Sequence, residues 1–391
     1  MKHVIRLLLI AFFALSIAAC DKQASAPAAA DQAPLVAPTN EDPGAWRDYV
    51  SGVVKRNMQG VSSAPFVYLL PAESTQDFQG SYDRLLEKAK SDVDRGILPG
   101  NLERLKSVVE KPYGLFFVCG PTGSGKTTTL HSVLKYLNTP DTKIWTAEDP
   151  VEITQKGLRQ VQINRKAGLD FATIMRAFLR ADPDIIMVGE MRDKETVSIG
   201  IEASLTGHLV FATLHTNSAP ESIIRLLDMG MDPFNFADAL LGVLAQRLAK
   251  RLCAKCKEAY TPGTDEIRAM LTEFCQELLS TTAFRTDPKA GLEAVYADWT
   301  KKYTNDKGQF VLYRKAGCEA CSGTGYKGRV GLHELLVASD SVKKLIQEKA
   351  RVAEVLAVAL EEGMRTLKMD GVEKVLQGIT DLAQVRAVCI K

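Results

Sequence analysis

The feature that most constrains the fold of this chain is a glycine-rich loop between an apolar run and a helix-forming run. Residues Gly120-Pro-Thr-Gly-Ser-Gly-Lys-Thr127 match the pattern G-x-x-x-x-G-K-[ST] in full. The apolar run Leu115 to Cys119 precedes the loop, and a helix-forming run begins near Lys126. A buried strand, a tight loop and a helix in this order predict an α/β fold with a parallel-rich sheet.

The residue types in this loop suit the phosphate tail of a nucleoside triphosphate. Glycines let the backbone turn tightly so that several N–H groups converge on one anion, and the helix start adds its positive dipole end. A lysine supplies a mobile charge to the β- and γ-phosphates, and a threonine hydroxyl is a ligand for Mg²⁺. The predicted nucleotide-binding residues are Gly120, Pro121, Thr122, Gly123, Ser124, Gly125, Lys126, Thr127 and Thr128, with Thr127 as the magnesium ligand.

Short apolar runs alternate with amphipathic helical stretches from about residue 101, which is typical of successive βαβ units. The predicted strands are Leu115–Cys119, Ile144–Ala147, Ile185–Val188 and Leu209–Thr213. Each run is followed by a polar cluster. Because ligands bind where the strands of an open α/β sheet end, we expect these clusters to share one crevice.

Two glutamates and a histidine stand at these strand ends. Glu148 follows one strand, Glu190 follows another, and His215 lies just beyond the exit of a third. Either Glu148 or Glu190 is predicted to position the attacking water; the alternative is that both are solvated loop acids. His215 is predicted to contact the γ-phosphate or the water, although a lone histidine is more often structural.

Charge gives no reason to expect nucleic acid as a ligand. The 49 Lys and Arg residues nearly balance the 47 Asp and Glu residues, for a net charge of +2. A hydrophobic share of 46% and a charged share of 25% are ordinary for a globular protein. We therefore expect no nucleic-acid partner.

Four cysteines form two C-x-x-C pairs, Cys253 with Cys256 and Cys318 with Cys321. Together they are predicted to form a tetrahedral Zn²⁺ site. The segment between the pairs is much longer than the usual spacing of about 15–20 residues, so it must loop out. A redox dithiol or two disulfides are the alternatives.

Four motifs in this order resemble those of the ATPases of type II secretion and type IV pilus assembly. They are the Walker A loop, the aspartate box 146–152, the atypical Walker B segment 182–193 and the histidine box 203–217. The resemblance implies a RecA-like core, ATP, Mg²⁺, a homo-hexamer and an inner-membrane platform protein as partner. It also implies a cytoplasmic motor that drives pilin or pseudopilin assembly. The four cysteines resemble those of the extension-type members, which favours Zn²⁺.

The N-terminus carries a different signal. Lys2 and Arg6 precede the apolar run 7–19, and Cys20 follows small residues in a lipobox-like pattern. This pattern predicts a secretory lipoprotein signal with lipid attachment at Cys20. An uncleaved anchor or a core helix is the alternative.

The predicted organisation has six parts: a signal segment (1–20), an Ala/Pro-rich linker (21–44), a small α+β segment (45–99), the ATPase core (100–252), a zinc-knuckle subdomain with a polar insertion (253–339) and a helical region (340–391).

Export of an ATP-driven motor is physically incoherent, so the N-terminal signal and the ATPase motifs conflict. The alternative function is a membrane-tethered, catalytically impaired chimeric lipoprotein or a regulatory nucleotide-binding module. That alternative predicts a membrane-anchored lipoprotein instead of a cytoplasmic protein peripheral to the inner membrane.

Overall fold

A seven-stranded sheet organises residues 97–389, which are the residues described by the computed structural model. The strands are β1 (Gly114–Cys119), β2 (Ile144–Glu148), β3 (Arg159–Gln162), β4 (Ile185–Val188), β5 (Leu209–Leu214), β6 (Leu240–Leu252), β7 (Glu258–Tyr260), β8 (Leu312–Arg314) and β9 (Tyr326–Val337). The sheet order is β3-β2-β4-β5-β1-β6-β9, and only the last pair is antiparallel. Strands β7 and β8 form a separate antiparallel ribbon. The predicted parallel-rich α/β fold is confirmed.

Thirteen α-helices accompany the strands within residues 97–389. They are α1 (Pro99–Val109), α2 (Lys126–Leu137), α3 (Phe171–Leu179), α4 (Lys194–Leu205), α5 (Ala219–Asp228), α6 (Pro233–Ala239), α7 (Thr264–Cys275), α8 (Thr282–Thr286), α9 (Pro288–Tyr303), α10 (Asp340–Gln347), α11 (Val352–Glu361), α12 (Leu367–Leu376) and α13 (Leu382–Val388). Most begin at a side-chain cap: Asp193, for example, accepts a hydrogen bond from the Thr196 N–H, and Ser218 accepts one from Glu221. Such caps satisfy backbone donors that the first helical turn leaves unpaired.

The central strands β1, β4 and β5 are buried along their whole length. Both faces of the sheet are covered, which explains why these strands are continuous apolar runs instead of alternating ones. One hydrophobic cluster lies on each side of the sheet: Phe116 and Leu130 belong to one, and Phe117 and Ile223 belong to the other. The four predicted strands all form, with bounds that differ by a residue at most.

Residues 262–312, which the sequence indicates as a polar insertion, fold mainly as helices α7, α8 and α9. The rings of Phe274 and Trp299 meet at 5.2 Å, and Trp299 is fully buried. The segment looks polar because α9 exposes most of its residues. After it, β9 returns to the main sheet beside β6, so the predicted boundary at residue 253 falls within one continuous sheet.

Residues 340–388 form helices α10 to α13, in agreement with the predicted helical region. None of the helices in residues 97–389 combines the length and the apolar character that a membrane crossing needs. The predicted signal with Cys20, the linker 21–44 and residues 45–96 lie outside the described residues.

Candidate functional site

The glycine-rich loop joins the centre of the sheet to the start of a helix. It leaves β1 at Cys119 and enters α2 at Lys126. Gly123 and Gly125 have φ angles of 78° and 86°. This left-handed region is disfavoured for residues with a Cβ, so the backbone path itself requires glycine at these positions. The sequence therefore folds as a tight loop with the geometry expected for phosphate binding, and we call residues 120–128 the phosphate-binding loop.

Lys126 is held within this loop. Its Nζ donates hydrogen bonds to the carbonyl oxygens of Gly120 at 2.9 Å and Pro121 at 3.1 Å. Burial lowers the pKa of Lys126, while the nearby Glu190 carboxylate raises it. The hydroxyl of Ser124 is buried and has no hydrogen-bond partner within the described residues. A charged amine and an orphaned hydroxyl in one loop fit an anion with several oxygens.

The loop forms one wall of a cleft of about 850 Å³. The opposite walls come from the ends of β2, β4 and β5 and from β9. The lining includes the predicted residues Thr127, Thr128, Glu148, Glu190 and His215. Adjacent parallel strands bring these residues together, since their carboxyl ends meet at one edge of the sheet.

Glu190 and His215 form a pair in this cleft. His215 Nε2 lies 3.0 Å from Glu190 Oε1, and the Glu190 side chain is 17% exposed. Arg192 forms an ion pair with the same carboxylate oxygen. The Glu190 charge also acts on Lys126 of the phosphate-binding loop. A carboxylate, an imidazole and an ammonium group thus face one volume, which is a suitable arrangement for positioning a polarised water beside a phosphate.

Glu148 is held more rigidly than Glu190. Only 2% of the residue is exposed, and its oxygens accept hydrogen bonds from Thr146 Oγ1 at 2.7 Å and Gln160 Nε2 at 2.9 Å. Its other oxygen lies 3.1 Å from His131 Nε2. Burial raises the pKa of Glu148, but the hydrogen bonds and the charge of His131 outweigh it, so the pKa lies below its ordinary value. The buried side chain is therefore a fixed carboxylate at the cleft wall.

Sequence reasoning missed two residues of this site. His131 lies on α2 and is fully buried, and Gln246 on β6 reaches the phosphate-binding loop. No motif marks His131. The sequence predicts no role for Gln246. The available signal for Gln246 was a polar side chain directly after the apolar run 240–245.

The four predicted zinc ligands come together at a second site. Their sulfur atoms all lie within 4.8 Å of one another, with Cys253 and Cys318 at 3.9 Å and Cys256 and Cys321 at 3.8 Å. These distances exclude disulfides in this structure, because an S–S bond measures about 2.05 Å. Four sulfurs at about 2.3 Å from a tetrahedral metal lie about 3.8 Å apart, so the observed spacing fits Zn²⁺.

Backbone donors stabilise a thiolate at this cluster. The N–H groups of Cys318 and Gly325 both donate to Cys321 Sγ at 3.2 Å. Burial raises the pKa of Cys321, but these hydrogen bonds lower it to about 6. Because zinc binds the thiolate form of cysteine, the donor set suits the metal.

The fold and the loop geometry together define a P-loop protein of the α/β class. The chain belongs to the family of type II/IV secretion system proteins, whose model matches residues 84–387. It is 46% identical over 312 residues to the type IV pilus assembly ATPase PilB of Thermus thermophilus. It is 39% identical over 312 residues to the type II secretion system ATPase E of Vibrio cholerae.

The match covers most of this chain but only part of these relatives. It includes 79% of this chain and 32% of the Thermus protein, and 78% of this chain and 55% of the Vibrio protein. Among solved structures, the pilus retraction motor PilT with bound ADP aligns with a TM-score of 0.50 and 26% identity. That alignment covers 75% of this chain and 64% of PilT.

Proposed function

We propose that this chain binds ATP with Mg²⁺ and hydrolyses it as the motor of a type II secretion or type IV pilus assembly machine. The observation that carries the proposal is the cleft in which Lys126 of the phosphate-binding loop faces Glu190 and His215. The names of the pilus assembly and secretion ATPases among its relatives support it, as does the ADP in the related PilT structure.

In this proposal the loop 120–128 holds the phosphates, and Lys126 exchanges its contacts with loop carbonyls for contacts with phosphate oxygens. Thr127 and the cleft carboxylates would hold Mg²⁺, which neutralises phosphate charge when bound. Glu190 or Glu148 positions the attacking water, and His215 senses the γ-phosphate. The accessibility of Glu190 and its contact with His215 favour Glu190 for the contact with water.

The four cysteines are proposed to hold a structural Zn²⁺ that ties the ends of β6 and β9. Hexamer formation, a membrane platform protein as partner and a position on the cytoplasmic face of the inner membrane are also proposed, on family grounds. The six predicted parts of the chain remain a proposal as well.

Lipid attachment at Cys20 would place the ATPase core outside the cytoplasm. Lipid attachment and a cytoplasmic position therefore exclude each other for one mature chain. Intact mass of the protein in cell fractions distinguishes them. A mature N-terminus at lipidated Cys20 in the membrane fraction would contradict the cytoplasmic position.

The test of the proposed activity compares ATP turnover by the full chain with that of Lys126→Ala. We expect Lys126→Ala to abolish turnover without changing the thermal unfolding temperature. Lys135→Ala, on the same helix α2, is the matched control and should retain turnover. Turnover retained by Lys126→Ala would contradict the site assignment.

A further inference from the structure

A single side chain, Gln246, connects strand β6 to both sides of the phosphate-binding loop. Its Nε2 donates to the Ser124 carbonyl oxygen at 2.7 Å, and its Oε1 accepts from Thr129 Oγ1 at 2.6 Å. Gln246 is 3% exposed and Thr129 is 1% exposed. Ser124 precedes Lys126 and Thr129 follows it, so one amide contacts the chain on each side of the lysine, at a backbone carbonyl and at a side-chain hydroxyl.

The loop is also shaped to fit Gln246. A Cβ at Gly120 would overlap the Gln246 carbonyl oxygen, and a Cβ at Gly125 would lie 2.9 Å from Gln246 Nε2. Two of the loop glycines therefore allow close contact with this residue in addition to their conformational role. The phosphate-binding loop therefore packs closely against Gln246, which constrains the path of the loop backbone.

Strand β9 pairs with β6 at Gln246. His333 is the residue directly opposite Gln246 in the antiparallel pair, and the side chains of such opposed residues project from the same face of the sheet. The His333 ring lies against Gly331, where a Cβ would overlap it. Both residues line the same cleft as Gln246.

An ion pair on helix α12 covers the open edge of β9 at these residues. The His333 N–H donates to Asp370 Oδ2 at 2.9 Å, and Lys374 Nζ donates to the Gly331 carbonyl oxygen at 2.6 Å. Asp370 and Lys374 pair with each other, and neither is exposed. The pair thus takes the place of a neighbouring strand, since β9 is the last strand of the sheet.

A contribution to stability alone does not account well for this buried ion pair. Apolar residues of similar volume are often as stabilising as a buried ion pair, because desolvation offsets the attraction between the charges. The pair instead places one acceptor on the His333 N–H and one donor on the Gly331 carbonyl oxygen. This arrangement fixes the part of β9 that contacts Gln246.

We propose that Gln246 is a positioning residue for the phosphate-binding loop, and that Asp370 and Lys374 hold the strand against which Gln246 packs. Helix α12 thereby contributes to nucleotide affinity without touching the nucleotide. This inference rests on the proposed nucleotide binding, and it assigns a role to residues outside the phosphate-binding motif.

The first experiment tests Gln246 and Thr129 in the full chain, with a fluorescent ADP analogue for Kd and steady-state turnover for KM and kcat. Gln246→Met and Thr129→Val should each raise Kd and KM about tenfold, as expected for lost hydrogen bonds, with kcat changed less than about threefold. Thr129→Ser keeps the hydroxyl, so its Kd should lie within about twofold of the wild-type Kd. Unchanged Kd in both Gln246→Met and Thr129→Val would overturn the inference.

The second experiment tests the ion pair with the double variant Asp370→Leu/Lys374→Met, which replaces it by apolar side chains. We expect a Kd about tenfold higher and faster hydrogen exchange at residues 120–129, at an unfolding temperature close to that of the wild type. The matched control is Asp298→Leu/Lys302→Met, which removes an exposed pair of the same spacing on α9 and should leave both readouts unchanged.

The outcomes separate this inference from the proposed function. A folded double variant with wild-type Kd and exchange would overturn the role of α12. If it fails to fold, Asp370→Asn supplies the same two readouts. A wild-type chain that binds no nucleotide would refute the proposed function itself, and the inference with it.

Discussion

Replacing His131 by leucine removes the imidazole that contacts the buried carboxylate of Glu148. In the wild-type chain His131 Nε2 lies 3.1 Å from Glu148 Oε2, and the side chains are 0% and 3% exposed. Leucine fills most of the same volume without a donor. The change leaves one oxygen of a buried carboxylate without its partner, while Thr146 and Gln160 still donate to the other oxygen.

The expected cost follows from these contacts. A hydrogen bond to a charged group contributes about 1.5–3 kcal/mol, and an unsatisfied buried partner adds a desolvation penalty. Because Glu148 keeps two of its three donors, we expect His131→Leu to lower the free energy of unfolding by about 2–3 kcal/mol at pH 7. Glu148→Gln should cost less, since it removes the buried charge and keeps hydrogen-bonding capacity.

The sign of the pH dependence follows from the lowered pKa of Glu148. A carboxyl group with a folded-state pKa below its unfolded value of about 4.5 stabilises the fold above that value. This contribution disappears as the pH falls through the folded-state pKa. His131→Leu removes the largest contributions that lower the pKa of Glu148, so we expect this pKa to lie higher in the variant than in the wild type. The difference in stability between wild type and variant should therefore be largest near pH 7 and shrink below about pH 4.5.

Urea denaturation of the wild type, His131→Leu, Glu148→Gln and the double variant measures the coupling directly. If the variants have equal m-values, differences between their urea denaturation midpoints report differences in stability. The double-mutant cycle should give a coupling of about 1.5 kcal/mol or more. Additive effects within about 0.5 kcal/mol, or a stability difference that does not change between pH 7 and pH 4, would refute this account of Glu148.

Three further predictions concern the two sites. Glu190→Gln should keep nucleotide affinity while lowering turnover at least about 100-fold, measured by single-turnover hydrolysis. Near-normal turnover would instead assign the water to Glu148. His215→Ala should lower turnover more than ADP affinity, because its proposed contact is with the γ-phosphate, whereas equal losses would point to a general structural role. We expect one zinc ion per wild-type chain, measured by mass spectrometry, and Cys321→Ser should lower this amount. Cys275 is buried outside the cluster, so Cys275→Ser should not change it.

The sequence predicted the elements that depend on local patterns. Continuous apolar runs located β1, β2, β4 and β5 because both faces of a parallel sheet are covered. The phosphate-binding loop was recognisable because all the glycines and the lysine that phosphate binding requires lie within eight consecutive residues. The paired cysteines were also recognisable from their short internal spacing, and the structure brings all four sulfurs together.

The missed features depend on contacts between distant parts of the chain. Gln246 reaches the loop only because β6 pairs with β1 in one register, and His131 meets Glu148 only because α2 packs against the sheet. Nothing near either residue indicates these partners. The helices α7 to α9 were underestimated for a different reason: their exposed faces are charged, and their few buried aromatic residues are too widely spaced to dominate the composition.

The connection between β6 and β9 explains why the cysteines stand where they do. A short turn fixes the register of an ordinary hairpin, but here helices α7 to α9 separate the two strands, so no turn can do so. Cys253 directly follows β6, and its N–H donates to the Gly325 carbonyl oxygen at 2.9 Å, just before β9 begins. A slip of one residue would turn His333 away from Gln246. The proposed Zn²⁺, held across both strand ends, would therefore fix the register that places His333 opposite Gln246.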